Sequence, residues 1–452
     1  MHQGPFASPR VDSDTGLRRD LGTLESYAAL LGILIGAGIF KVTGDAWQLT
    51  GPSILLGYFV LAIPVLATSV AYSVFLSTPL GREPGGEYTH ISRTFGSFGL
   101  AFIGVWLKII SYTGALAYLA RALADYVVEL FGRGAKTPIA VGGLLLFYVI
   151  HVAGVRWFGR IQVWMCAVLF LSIIVLVVPG LFAIKVANYR PFFTHGFAGF
   201  AASLAPMFFA YAGFESLAQT AGEVRDSTRR LPRIFLTGIT ATTIIYLLMT
   251  AVALGVLPAS RLAISSAPMA DAAAQYLPVG VAALVTIGAI MAVTTSLNAT
   301  FIVPSRVGIM LAQDGLAPRW IGRVSPRTGT PIIGLTITAA GAFALLLTNQ
   351  IALALNIAVY ALVLLYFIHS LALLLLPRLN RPLFDSVTVA IPLRVQRAMA
   401  VLSMLSMAAL LTLLTLPTIE LLAGWSAIGA VLYFASRRVA DRGTSCRIEH
   451  AE

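Results

Sequence analysis

Charge is the scarcest commodity in this chain. Its 31 Lys/Arg and 19 Asp/Glu make up 11% of 452 residues, where soluble globular domains carry roughly 25%. That deficit excludes an ordinary soluble fold and leaves a polytopic membrane protein. Cysteine is equally thin. Cys166 sits in an apolar run and Cys446 in a polar C-terminal stretch, so no disulfide framework is implied. Strand alternation, low-complexity tracts and short repeats are missing. There is no His-Glu-x-x-His, no pair of intramembrane aspartates and no nucleophile elbow, which argues against a membrane enzyme. No phosphate-cradling loop followed by lysine is present, which argues against an ATP-driven pump. No ring of repeated pore residues marks a channel filter. The first twenty residues, with Pro5, Pro9, Asp12, Asp14, Arg18 and Arg19, lack the apolar core of a cleaved signal and read as a disordered tail.

What is present is hydrophobic sequence, 58% of the chain at a mean hydropathy of +0.86. Twelve runs are long enough to span a bilayer, near 24–47, 52–76, 98–131, 138–155, 158–182, 199–222, 234–257, 279–312, 331–348, 351–376, 397–415 and 419–436. With the N-terminus placed inside, the inner loops and termini hold 22 Lys/Arg. The outer loops hold five: Arg133, Lys136, Lys185, Arg190 and Arg261. This asymmetry predicts cytoplasmic termini and an even span count. It also accounts for the net charge of +12 without nucleic acid, because the positive charge is dispersed over short loops facing anionic lipid.

The first run contains Ile35-Gly36-Ala37-Gly38-Ile39-Phe40. A helix in hydrocarbon must satisfy its own backbone hydrogen bonds, and glycine flanking one small residue is suited to interrupting it. The sixth run carries Ala210, Ala212 and Gly213 at the corresponding depth. Two interrupted spans five apart point to inverted repeats with a solute site between them. Beyond the first break the amides near Gly38, Ile39 and Phe40 suit a carboxylate. At the end of the outer half of the sixth span, the carbonyls of Phe208, Phe209 and Ala210 suit an ammonium. The plain alternative is that these glycines only allow close helix packing, as Gly32 and Gly36 at four-residue spacing would.

Several stretches taken in order resemble one family. They are "IGAGIF" in the first run, "REPGGEYTHISRTFG" from Arg82 to Gly96, "FFAYAGFESLAQTAGEVRDSTRRLPR" from Phe208 to Arg233, "SLNATFIVPSRVGIMLAQDGLAPRW" from Ser296 to Trp320, and Thr330-Pro331. The chain resembles bacterial permeases of the amino acid–polyamine–organocation superfamily over nearly its whole length. The resemblance implies an all-α membrane protein of twelve transmembrane helices. Ten form a leucine-transporter-like core of two five-helix inverted repeats (5+5) over 21–376, with helices 1 and 6 discontinuous. Two peripheral helices follow over 377–438, between cytoplasmic tails 1–20 and 439–452. It implies secondary transport or exchange of an amino acid by alternating access in the plasma or inner membrane, as monomer or homodimer, with no cofactor.

The resemblance places Phe209 as an aromatic gate over substrate and Thr113, with Ser111 and Tyr112, on the substrate path of the third span. The expected substrate-binding set is Gly36, Ala37, Gly38, Ile39, Thr113, Phe208, Phe209, Ala210, Ala212 and Gly213. Glu215 is a carboxylate within an apolar span, where charge faces a cavity or a partner. It is a candidate proton carrier, or a structural acceptor for backbone freed at the break. Lys108 is expected near the inner third of its span, its stem reaching polar surroundings. Arg121 and Asp125 are spaced to pair on one helix face, and Arg306 is expected at the inner gate. In relatives of this fold, hydroxyls such as Thr294 and Thr295 ligate Na⁺; the ordinary alternative is bonding back to helix carbonyls. Proton-coupled relatives carry a lysine in the fifth span, and Cys166 lies near that position here, so the coupling ion is left as H⁺ or Na⁺. His151 and His369 read as isolated packed residues. The inferred pocket wall lacks an acid aimed at a cationic side chain, which favours a neutral amino acid. A cationic amino acid or polyamine antiporter, and a non-transporting sensor, are the alternatives.

Overall fold

Glycine, not proline, accompanies the two interruptions of the apolar runs, since Pro64, Pro179, Pro206 and Pro232 lie inside helices. The computed structural model describes residues 16–448 except 37, 263, 264, 266, 349, 350 and 415; for 41, 45, 259, 260, 351–355, 357 and 437–448 the backbone alone is described. Helix α1 (Thr23–Leu34) opens with the Glu25 carboxylate accepting the Gly22 amide at 2.9 Å. It closes at Ile35, whose ψ of 58° leaves the helical region. One π-turn (Gly38–Val42) follows, then α2 (Thr43–Thr50). The glycines here answer to neighbours as well as to φ and ψ. A Cβ on Gly36 would lie 1.7 Å from Ser296 Oγ, and one on Gly38 would lie 2.3 Å from Ala210 Cα.

The chain continues through α3 (Ile54–Leu76), α4 (Glu87–Phe95), α5 (Phe98–Phe131), α6 (Lys136–Ala153) and α7 (Val155–Ala183). Then comes the second interruption. Helix α8 (Gly196–Tyr211) stops at Ala212, which is extended at ψ 149°, and Gly213 turns the chain at φ +102° into the single turn α9 (Ser216–Gln219). Beyond it lie α10 (Ser227–Val256), the short α11 (Ala259–Leu262) and α12 (Pro268–Ala273), α13 (Val279–Phe301), α14 (Val303–Gln313) and α15 (Ile332–Thr348). The chain ends with α16 (Ile351–Leu379), α17 (Arg381–Asp385), α18 (Leu393–Leu411) and α19 (Leu416–Ile448).

Eleven helical stretches among the described residues are long and apolar enough to cross a bilayer, and α15, apolar but only 17 residues long, is shorter. The expected count of twelve is therefore eleven by length. Large apolar side chains face outward, with Trp164 75% and Phe182 90% exposed, as lipid-facing surfaces require. Long α5 packs against α16, α13 and α6, while α1 sits among α7, α10 and α13. The last helix is clamped to α5 by the Trp106–Trp425 stack, centroids 4.5 Å apart, each indole N–H donating to the other residue's carbonyl at 2.7 and 2.8 Å.

Three boundaries differ from the sequence reading. The loop after the second run holds α4, whose residues Glu87 to Ser92 are all buried. Its polar side chains hide the helix from a hydrophobicity scan because they are paired inside the protein. Residues 16–20, expected as tail, are docked: Arg18 Nη2 donates to the Pro326 and Arg327 carbonyls at 3.1 and 3.0 Å. Just after them, Leu21 exchanges backbone bonds with Glu223 and Arg225 at 3.0 and 2.9 Å. Residues 1–15 and Asn349-Gln350 lie outside the described residues. Finally, α19 continues to Ile448 across the expected boundary at 438.

A Gly38→Ala substitution tests the contact between the two interruptions. The added methyl meets backbone, which cannot rotate away, so the variant is expected to lose about 1–3 kcal/mol. The check is a lowered thermal unfolding midpoint in detergent, with Gly142→Ala, where a Cβ meets nothing within 4 Å, unchanged.

Candidate functional site

The two interruptions face each other. The Tyr246 hydroxyl reaches both the Leu34 carbonyl, last of α1, and the Ala210 carbonyl, 2.6 Å away near the end of α8. A phenol has one proton, so it donates to one of these at a time. Helix α13 covers the carbonyls one turn back. Thr295 Oγ1 donates to Gly32 O or Ala292 O (2.8 Å each), and Ser296 Oγ lies 3.0 Å from Ile33 O. Gln162 Nε2 and Cys166 Sγ of α7 both meet the Ala28 carbonyl, at 3.1 and 3.2 Å. The carbonyls expected to be free in the sixth span have donors too. Phe208 O and Phe209 O both accept from the Ala212 amide at 3.1 Å, and Ala210 O has Tyr246. Each carbonyl keeps a second lone pair, but none is bare. The opening amides of the π-turn, from Gly38, have no carbonyl one turn ahead within their own helix.

Beside this junction lies a small cavity of about 30 Å³. Its wall comes from α1 (Ile33, Leu34), the π-turn (Gly38), α5 (Ser111, Tyr112, Ala115, Leu119), α8 and its break (Phe209, Ala210, Ala212, Gly213), α13 (Ser296, Thr300) and α16 (Ala358, Leu362). Among the described residues no charged side chain lines it. Of the sequence-predicted set, Gly38, Phe209, Ala210, Ala212 and Gly213 are on the wall. Gly36 faces Ser296 instead, and Ile39 and Phe208 are buried outside it. Thr113 is a correction: its Oγ1 donates to Ile109 O at 2.7 Å and its methyl points at Gly341 of α15. One step along the α5 face separates it from Tyr112, which does reach the cavity. Ala37 lies outside the described residues. Phe209 sets its ring edge-on to Tyr118, centroids 5.2 Å apart.

Glu215 sits in the break itself, fully buried. Oε1 accepts from Tyr112 at 2.7 Å, and Oε2 accepts from the Gly213 amide at 3.0 Å and from Tyr366. The carboxylate thereby caps backbone that the interruption sets free. Further along lies a second buried carboxylate, Glu87, which accepts Lys108 Nζ at 2.7 Å, Gln219 Nε2 at 2.6 Å and the Tyr72 hydroxyl. The Lys108 ammonium also lies 5.3 Å from the Tyr112 ring centroid, so the two carboxylate clusters share one cation and one tyrosine. Past these, Arg306 grips Glu223 with two donors at 3.2 and 2.8 Å, and Arg93 and Tyr88 meet Asp314. Arg121 pairs with Asp125 at 3.9 Å, and Lys136 approaches that carboxylate more closely, at 2.8 Å.

His369 is not isolated, contrary to the sequence reading. Its Nε2 lies 3.0 Å from His90 Nδ1. Burial and the Lys108 charge push His90, on α4, down to about 3, so that ring is neutral. His151 bonds Asn298 O at 2.8 Å. Among the described residues no group of three or more His, Cys, Asp or Glu could hold a metal. Thr294 turns back onto the Ile290 and Met291 carbonyls of its own helix. With the Gln162 amide donating to Ala28 O and Thr295 O, the expected Na⁺ pair Thr294 and Thr295 is not a converging set of acceptors. Sequence reasoning missed Glu87, Gln219, Tyr246, Tyr366 and the α16 wall. Glu87 was visible as an acid in the second motif, and the tyrosines carried no signal apart from their type.

Residues 27–437 match the family profile described as amino acid permease. The chain is 27% identical over 344 residues to the branched-chain amino acid permease BcaP of Bacillus subtilis (strain 168), covering 72% of this chain and 73% of that one. It is 29% identical over 349 residues to cationic amino acid transporter 9, chloroplastic, of Arabidopsis thaliana, covering 71% and 60%. To the methylthioribose transporter of Bacillus subtilis (strain 168) it is 25% identical over 342 residues, covering 71% and 73%.

Two measurements probe the buried polar layer. Lys108→Met strands Glu87 as a buried unpaired acid and is expected to cost about 3–5 kcal/mol. Adding Glu87→Gln should restore most of it in a thermal double-mutant cycle; additive losses would show that the pair is not coupled. His90, held neutral in the fold, contributes stability that is complete above the ordinary histidine value of 6.5 and is lost as pH falls below it. Acidifying detergent-solubilised protein to pH 5 should therefore remove about 2 kcal/mol through this group, and His90→Gln should flatten the pH dependence of unfolding between 7 and 5.

Proposed function

The chain belongs to the amino acid permease family, within the amino acid–polyamine–organocation superfamily, and from that premise we propose that it is a secondary transporter moving a neutral amino acid by alternating access. The observation that carries the substrate class is the cavity wall, which among the described residues presents peptide groups, hydroxyls and apolar side chains but no charged side chain. In this reading the substrate carboxylate meets the opening amides of the π-turn at Gly38, where the helix end is partially positive. The ammonium takes the remaining lone pairs on the break carbonyls beside Ala210 and Ala212. The side chain lies against Leu119, Phe209 and Leu362, a surface suited to a branched or modest apolar group.

The proposed architecture is twelve spans, with α15 included. Ten form two inverted five-helix repeats whose interrupted members hold the cavity, and α18 and α19 lie outside them. Both termini face the cytoplasm of the plasma or inner membrane, following the distribution of Lys and Arg. Glu215 is proposed to influence coupling: a proton on it would alter its bonds to Tyr112, Tyr366 and the Gly213 amide and so the stability of the break. A proton fits the geometry better than Na⁺, since the α1 carbonyls are already engaged by hydroxyl, amide and thiol donors. Some relatives are named for cationic amino acids. The nearest acid, Glu215, however, already accepts three hydrogen bonds and is fully buried, which weighs against a cationic side chain in this cavity.

The test is uptake and countertransport of labelled solutes in proteoliposomes, across neutral and cationic amino acids and polyamines, with and without Na⁺ at two pH values. Neutral, branched substrates should exchange, Na⁺ should have little effect, and Glu215→Gln should change the pH profile. Preferential movement of arginine or putrescine would overturn the substrate assignment. Absence of any countertransport would favour a non-transporting sensor.

A further inference from the structure

On the same end of the bundle as the Arg306–Glu223 pair, away from the cavity, four arginines surround one groove. Two adjoining hollows share Arg82, Thr228 and Arg229. One, of about 700 Å³, is also lined by Ser77, Arg233 and the apolar Pro232, Leu236 and Val389. The other, of about 360 Å³, adds Arg19, Asp226 and Ser227. The parts are held in place by backbone. Arg225 Nε bonds the Arg19 carbonyl at 3.2 Å, Gly222 packs against Pro84 and the Arg82 carbonyl, and Thr388 Oγ1 donates to Ser77 O at 2.9 Å.

The charge in this groove is uncompensated. Its one acid, Asp226, is paired with Arg230 at 3.1 Å. Among the described residues no ion pair engages Arg19, Arg82, Arg229 or Arg233. The groove is also the N-terminus of the 30-residue helix α10, where Arg229 and Arg230 amides bond Asp226 O but the first amides have no intrahelical partner. Ser227, 1% exposed and on the same wall, has a hydroxyl with no hydrogen-bond partner among the described residues. Guanidinium groups, open amides and a spare hydroxyl form the donor set of a phosphate site. The apolar side of the groove, Pro232 and Leu236, runs up α10, itself long and apolar enough to span a bilayer.

We propose that this groove binds an anionic phospholipid, its phosphate held by Arg82, Arg229 and the start of α10 and its acyl chain lying along Pro232 and Leu236. A free phosphate would not use the apolar wall, and a neutral lipid would not compensate the arginines. Because the groove joins the docked N-terminal segment, the α3–α4 loop and α10, an occupant would brace three elements that an alternating-access cycle must move.

The experiment uses the full chain in zwitterionic detergent-lipid micelles, titrated with phosphatidylglycerol, phosphatidylcholine or inorganic phosphate, and reads the unfolding midpoint and retained lipid by native mass spectrometry. Phosphatidylglycerol should raise the midpoint by about 3 °C near saturation, and phosphatidylcholine should not. Arg82→Gln with Arg229→Gln should abolish the shift, whereas Arg394→Gln with Arg397→Gln, exposed on α18 and equal in charge change, should preserve it. Thr228→Glu is the folding-safe variant, since an acid is favoured in the first turn of a helix; it should also abolish the shift while the protein stays monodisperse. An equal loss in the α18 pair, or a full response retained by both groove variants, would reduce the effect to diffuse surface charge and overturn the proposal. A matching rise with inorganic phosphate alone would assign the site to a free phosphate group and overturn the lipid.

Discussion

Everything in the centre of this protein depends on two interrupted helices touching where they are interrupted. Gly38 and Ala210 approach so closely that one methyl does not fit between them. Interrupting a helix in apolar surroundings leaves peptide groups without partners, which is costly unless each finds a donor or acceptor nearby. The surrounding helices supply them. Tyr246 serves one carbonyl from each break, Ser296 and Thr295 serve α1, and Glu215 serves the Gly213 amide. The breaks are thus stabilised by side chains from α10 and α13, elements distant in sequence, and the cavity exists because those side chains hold the two ends apart from regular helix.

Beneath the cavity lies a layer in which charge is buried but matched. Glu215 and Glu87 are both fully buried, and each accepts three donors. Lys108 contributes a single positive charge between them. A matched pair of this kind adds less to stability than its Coulomb energy, because both ions lost their water. Its sharper effect is on specificity of arrangement. Moving α4, α5 or α9 separately would expose an unpaired ion, so these elements are obliged to move together. Beyond this layer lie the Arg306–Glu223 and Arg93–Asp314 pairs.

The groove at the start of α10 shows the opposite economy of charge. Inside the bundle Glu87, Glu215, Glu223, Lys108 and Arg306 all have partners. At its edge four guanidinium groups are left facing one hollow. The contrast follows from the surroundings: an unmatched charge is tolerable at a bilayer surface rich in anions and water, and intolerable in the layer below the cavity.

Class, span positions and the two breaks were legible in sequence because they are local: an 11% charged, 58% hydrophobic chain has one comfortable class, and glycine at 36 and 38 or 213 changes helix wherever it stands. The motif order identified the superfamily for the same reason. What the sequence could not show was apposition. The resemblance put Thr113 and Tyr112 together on the substrate path of one span, but only the packing of α15 at Gly341 decided that Thr113 faces a helix and Tyr112 the cavity. Glu87 looked like a loop residue until α4 was folded inward against Lys108 and Gln219, and His369 looked alone until α4 brought His90 beside it. The carbonyls of Phe208, Phe209 and Ala210 looked free because a sequence shows which helix bonds are lost and not which distant tyrosine replaces them. The chain by itself therefore determined the medium it lives in and where its helices break, since both follow from transfer free energies and backbone preferences of neighbouring residues. The tertiary structure alone decided which polar groups meet, since hydrogen bonds between residues as many as 335 positions apart are set by helix packing.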